Sequence, residues 1–190
     1  TTGNGEVILI APNIKNEGVI QTEGGNITLA SGQSMTLTSL SDPNINFEVQ
    51  APENKAVNLG EILTGGGSAS IFAHTIEHAG IINANQISRN AAGNIVLGAV
   101  RDISISENAV ISSNGEQGGD ITLQSQQGDT IVRGTIEATG ELGNGGTAQL
   151  LGERVGLFGD ATIDVSGNSG GGEVLVGGDY HGSGDTRTAR

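Results

Sequence analysis

The sequence predicts an all-β fold, a single-stranded parallel β-helix (β-solenoid) with about seven rungs, three short strands per rung and one extra-helical insertion. Three observations predict it. A strand-like phrase led by glycine occurs seven times, a second phrase falls between its copies six times in constant order, and four of the six steps between copies are 26 or 27 residues.

The first phrase runs glycine, any, apolar, any, apolar, any, small: GEVILIA at 5–11, GNITLAS at 25–31, GSASIFA at 67–73, GNIVLGA at 93–99, GDITLQS at 119–125, GTAQLLG at 146–152 and GEVLVGG at 172–178. Its leading glycines are separated by 20, 42, 26, 26, 27 and 26 residues. Apolar residues alternate with period two, the mark of a strand with one buried side. Val7 with Leu9, Ile27 with Leu29, Ile95 with Leu97, and Ile121 with Leu123 are therefore expected to point inward as stacked ladders. The second phrase (glycine or alanine, any, Ile, any, small) starts at 18, 60, 80, 109, 134 and 161. A weaker third strand is expected between the two, at NIKN (Ile14), MTLTS (Leu37), TIEH (Ile76), DISIS (Ile103, Ile105), TIVR (Ile131) and RVGLF (Val155, Leu157). Glycine suits the corners, where the chain needs positive φ or a close backbone approach.

Other architectures fit less well. No interval offers ten residues with a 3.6-residue apolar period, so an α/β fold has no helices to use. A sandwich has no reason to hold a 26-residue spacing. Residues 1–190 are read as one β-helix unit of a larger protein. One interval, 40–58, breaks the spacing: Ile45, Phe47 and Val49 alternate as a strand and APENK reads as a turn, so an extra hairpin is expected to leave the rod there. Phe47 is a candidate surface contact on that insertion, with packing as its plainer role.

Composition agrees with narrow stacked layers. The apolar fraction is 35% but aromatics are only 2%, so the core must be small and branched aliphatic. Net charge is -13 and the eight basic residues are scattered, which leaves no footprint for nucleic acid or an anionic membrane surface. There is no cysteine, so no disulfide framework. No stretch approaches the ~18 apolar residues of a membrane span, so no membrane insertion is expected. TTGNGEVILIA lacks the layout of an export signal, and the chain is expected to start inside a longer protein.

Three segments resemble a known family: GEVILIAPNIKNEGVI at 5–20, APENKAVNLGEILTGGGSASIFAHTIEHAGIINA at 51–84 and RVGLFGDATIDVSGNSGGGEVLVGGDYHGSG at 154–184. They are similar to the filamentous haemagglutinin exoproteins, the large adhesins of two-partner secretion. The most specific parts are AVNLGEI with its following glycines and the run VLVGGDY. The resemblance implies a right-handed parallel β-helix, passage through the periplasm and export through an outer-membrane transporter partner. It also implies a secreted, Gram-negative surface location and adhesion to a host-cell, bacterial or matrix receptor. The family's secretion domain carries NPNG and NPxL motifs, and neither occurs here; the nearest string is DPNIN at 42–46. The resemblance is thus to the region downstream of the secretion domain.

Parallel β-helices also include polysaccharide lyases and hydrolases, so a carbohydrate-active enzyme is the rival reading; a third is the stalk of a contact-dependent toxin carrier. The second phrase aligns Asn83, Ser112, Glu137 and Asp164 in one outward column. Adjacent carboxylates at Glu137 and Asp164 can share a proton or bind a cation. A solvated polar face is the simpler account. GGDYHGSGD at 177–185 is a single imperfect copy of a calcium repeat and builds no site alone. His74 and His78 are four apart, a metal spacing on a helix but not on a strand. Aligning AHTIEHAG with APNIKNEG instead sets His78 opposite Asn16 as a structural turn residue. The chain is expected to be structural and not an enzyme, with no catalytic, cofactor-binding or metal-binding residue assigned and no cofactor.

Overall fold

A computed structural model describes residues 5–32, 35–37, 47–49, 54–86 and 92–177, the two short pieces by their backbone course only. The first rung comprises β1 (Glu6–Ala11), β2 (Ile14–Asn16) and β3 (Val19–Gln21). The second begins with β4 (Asn26–Ser31), passes through β5 (Met35–Leu37) and β6 (Phe47–Val49), and ends with β7 (Lys55–Asn58) and β8 (Glu61–Leu63). Then come β9 (Ala69–Ala73), β10 (Thr75–His78) and β11 (Ile81–Asn83), followed by β12 (Ile95–Ala99), β13 (Ile103–Ile105) and β14 (Val110–Ser112). The fifth rung holds β15 (Asp120–Ser125), β16 (Asp129–Val132) and β17 (Thr135–Glu137), and the sixth β18 (Thr147–Leu151), β19 (Arg154–Leu157) and β20 (Thr162–Asp164). A seventh opens with β21 (Glu173–Val176).

Corresponding strands of successive rungs pair in parallel, giving a first sheet of seven strands (β1-β4-β9-β12-β15-β18-β21) and a second (β2-β7-β10-β13-β16-β19) and third (β3-β8-β11-β14-β17-β20) of six each. The protein is a parallel β-helix with three strands per rung. Its coil is right-handed, the hand that connections between parallel strands of one sheet adopt. Among the described residues no helix interrupts it.

Registers set the inward ladders. In the first sheet Leu9, Leu29, Ile71, Leu97, Leu123, Leu150 and Val176 stack in one file. In the third, Ile20, Ile62, Ile82, Ile111, Ile136 and Ile163 form another, one isoleucine per rung. Each interior isoleucine buried this way contributes roughly 1.5–3 kcal/mol. Register puts the pairs expected in β1, β4, β12 and β15 in the inward files; those of β4, β12 and β15 are buried to within 1%, whereas Leu9 of the first rung is exposed.

The strand expected at MTLTS is not in the coil. Met35–Leu37 pairs antiparallel with Phe47–Val49, and Lys55–Asn58 fills the second-sheet place of that rung, between β2 and β10. The hairpin therefore leaves the coil directly after β4, where hydrogen bonds to β6 replace those a coil strand would make to its neighbours, and the coil resumes at Lys55. Residues 51–53 of APENK lie outside the described residues.

A second difference concerns the outside of the first sheet. Alternation puts Thr28, Ala30, Ser70, Phe72, Val96, Thr122, Gln124 and Leu151 outward, yet all are buried, and Phe72 is the largest fully buried side chain among the described residues. This sheet is therefore covered on both faces, and the hairpin strand β6 lies near β9. Apolar runs without alternation, such as Ile71–Ala73, belong to sheets covered on both sides.

Candidate functional site

The third sheet carries the column singled out in the sequence. Pairing sets Asn83 beside Ser112, Ser112 beside Glu137 and Glu137 beside Asp164. The two carboxylates are thus one strand spacing apart, about 4.8 Å along the rod. Each is already engaged. Glu137 Oε2 accepts a hydrogen bond from Asn114 Nδ2 at 3.1 Å, and Asp164 Oδ1 accepts the Ser166 backbone N–H at 2.8 Å. The Ser166 backbone and then its side chain, donating to the charged carboxylate, hold Asp164 below the usual carboxylate range. A general acid needs the opposite displacement, so Asp164 is set to hold its turn, while Glu137 is tied across rungs to Asn114. Glu137→Ser is expected to leave the melting temperature within about 2 °C of the parent, as for a surface change below ~0.5 kcal/mol. A larger fall by circular dichroism would give the Asn114 bond a bigger structural share.

Asn114 is the centre of a cross-rung clamp that periodicity missed. Its backbone N–H donates to Asn85 Oδ1 at 2.7 Å, and its Oδ1 accepts from the Thr139 N–H at 2.8 Å. Three rungs are tied at one corner. Asn85 and Asn114 follow the second phrase at matching distance, the one signal available in the sequence.

Inside the second sheet Asn16, Asn58 and His78 occupy one inward file. Asn16 Nδ2 donates to Asn58 Oδ1 at 2.8 Å, and Asn58 Nδ2 faces His78 Nδ1 at 3.2 Å. That makes Nδ1 the acceptor and leaves the proton on Nε2, which faces the Val110 carbonyl at 3.5 Å. Further along, the file becomes Ile105 and Val132. His78 is fully buried, and burial pushes its pKa down to about 4 against the weaker opposing pull of its hydrogen bonds. His78 thus shares the file of Asn16 as the alignment has it, with Asn58 between them, but it closes strand β10 facing inward and is not the turn residue expected. His74 lies outside the file, half-buried beyond the end of β9. Among the described residues no group of three or more His, Cys, Asp or Glu can hold a metal ion.

Phe47 opens β6, and its side-chain surroundings lie outside the described residues. GGDYHGSGD lies almost wholly outside them as well. Two exposed contacts were not foreseen. Arg154 grips Asp129 with Nε and Nη2 at 2.8 Å each, and the Arg133 guanidinium lies over the Phe158 ring, 5.5 Å from its centroid. A shallow open groove runs across the corner between the second and third sheets, floored by Gly18, Gly60 and Gly80 and flanked by Val19 and Leu59. None of these features joins Glu137 and Asp164 in a common cleft.

No family model matches the chain, and no curated protein does. Among solved structures it is similar to the HMW1 secretion domain from Haemophilus influenzae, with a TM-score of 0.70 and 31% sequence identity over 91% of this chain. The match takes in 58% of that structure's chain, so this protein spans little more than half of it. The structural likeness is therefore to the secretion domain of a two-partner secretion exoprotein, and at that level it supports the resemblance read from the sequence.

Proposed function

We propose that this chain is a rod-forming β-helical section of a secreted two-partner exoprotein of the filamentous haemagglutinin kind, delivered to the bacterial surface through an outer-membrane transporter. The observation that carries the reading is the 31% identity to a secretion domain over 91% of the chain. Its work is structural and adhesive, not catalytic: Asp164 is engaged in a turn hydrogen bond and Glu137 in a cross-rung one, and aliphatic ladders fill most of the interior.

Two placements in the parent each have an observation in their favour. The likeness to a secretion domain favours a place inside that domain; the missing NPNG and NPxL motifs favour a place downstream of it. Deleting residues 5–177 from the parent protein, expressed with its transporter, separates them. Loss of the protein from the medium is expected for the first placement, and secretion of a shortened protein for the second. Secretion that continues without any transporter partner would sink the reading itself.

A further inference from the structure

We infer that Asn144 is a modification site: its side-chain amide is lost by deamidation in the folded rod, and the corner it occupies then opens between the fifth and sixth rungs. Asparagine, a thermolabile residue, is followed directly by glycine at Asn4, Asn114 and Asn144. Asn4 lies outside the described residues. The other two stand at the same corner, between the third sheet and the first, in the fourth and fifth rungs. One dipeptide is thus held in two different ways.

The chemistry needs only the chain and water. Gly145 has no side chain to shield its main-chain nitrogen, which can close on the side-chain carbon of the residue before it. A bond forms from Gly145 N to Asn144 Cγ, the Cγ–Nδ2 bond breaks, and ammonia leaves with the proton that the glycine nitrogen gives up. Water then opens the cyclic imide. Adding at Cγ, it restores the main chain and leaves aspartate; adding at the main-chain carbonyl carbon, it leaves isoaspartate, with the chain running through Cβ and Cγ.

Ring closure turns the carboxamide towards the next nitrogen, so the hydrogen bonds on both groups must be released first. At half-buried Asn114 there are three: Oδ1 accepts from Thr139 N–H at 2.8 Å, Nδ2 donates to Glu137 Oε2 at 3.1 Å, and Gly115 N–H donates to the Thr139 carbonyl at 3.1 Å. At exposed Asn144 only the main chain is held, between the rungs on either side. Gly118 N–H donates to the Asn144 carbonyl and Gly145 N–H to the Gly170 carbonyl, both at 3.0 Å. The Asn144 carboxamide lies against Gly170, where an added β-carbon would come within 3.0 Å of Oδ1, and makes no hydrogen bond among the described residues. Two side-chain bonds fewer to break, one of them to a charged acceptor, set the two rates more than about tenfold apart.

The isoaspartate product does not fit this corner. A β-carbon at Gly145 would overlap the Val165 carbonyl oxygen, and one at Gly167 would overlap the Gly145 nitrogen. An extra main-chain atom between Asn144 and Gly145 has no more room, so the bridge from Asn144 to Gly170 loses its register and the two rungs part locally.

Ageing the folded chain in warm, mildly alkaline buffer, then mapping its peptides by mass with isoaspartyl methyltransferase labelling, measures each site. Asn144 is expected to convert more than about tenfold faster than Asn114, and the two should run within a few-fold of each other in guanidinium. Glu137→Ser removes the acceptor of the Asn114 carboxamide and should speed that site several-fold while leaving Asn144 unchanged. Asn144 staying intact, equal rates in the folded chain, or the same gap in guanidinium would overturn the inference. Asn144→Gln, whose longer side chain closes the ring far more slowly, should keep the melting temperature that the aged parent loses. A parent converted at Asn144 to isoaspartate that melts like the fresh chain would refute the opening of the corner.

Discussion

Gly93→Ala is expected to cost at least ~3 kcal/mol, lowering the melting temperature by about 6–12 °C, while Gly18→Ala leaves it unchanged or slightly raised. The reason lies in how the rungs nest. A β-carbon at Gly93 would overlap the carbonyl oxygen of Gly67 one rung before, and the same holds for Gly25 on Gly5, Gly67 on Gly25, Gly119 on Gly93, Gly146 on Gly119 and Gly172 on Gly146. Each leading glycine brings its α-carbon against the backbone of the preceding one. The obstacle is main chain, which cannot swing aside as a side chain does. Relief would need the rungs to separate, and that would stretch hydrogen bonds such as Thr147 N to Gly119 O, 3.1 Å, in the same corner. At Gly18 nothing lies within 4 Å of a new β-carbon, so alanine there only reduces the freedom of the unfolded chain. Thermal melts of the two variants make the comparison. Equal, small effects would mean that the corner can yield and that close approach is not why glycine stands there.

Acid should weaken the fold through His78 by about 3 kcal/mol between pH 6.5 and 4. The folded pKa, about 4, lies below the ordinary 6.5, so the folded chain keeps this ring neutral where the unfolded chain protonates it. Its contribution is complete above pH 6.5 and is lost progressively as pH falls towards the folded value. Protonation would also turn Nδ1 from acceptor to donor against the Asn58 amide, breaking the direction of the Asn16–Asn58–His78 ladder. His78→Asn would continue the asparagine file without a titrating group. Denaturant melts across this pH range should therefore diverge, with the variant losing less stability than the parent. Parallel curves would assign the acid sensitivity to carboxylates elsewhere.

Much of this was readable one residue at a time. The pattern of Val7, Leu9, Ile27 and Leu29 specifies strands because a period of two can bury only one side, and the repeat of 26 specifies stacking because each rung must close before the next begins. The alignment of Glu137 with Asp164 followed from the same arithmetic. MTLTS misled it: its alternation suits any strand, and only the pairing of Met35 with Val49 takes it out of the coil. The clamp at Asn114 was hidden because an asparagine between glycine and serine looks like any turn residue. Asn58 was hidden within AVNLGE because an apolar ladder gives no reason to expect an amide inside it.

The sequence by itself determined the rung: three strands, an aliphatic interior and glycine where chain meets chain. These are consequences of local alternation and spacing, which each segment carries in its own residues. Tertiary structure alone decided what the rungs do to one another. It set strand β6 beside β9, buried Phe72 on the outward side of the first sheet, committed Asn114 and Ser166 to the carboxylates, and joined Asn58 to His78. Those contacts link residues 20 or more positions apart, or depend on which way a corner turns, and no pattern along the chain records either.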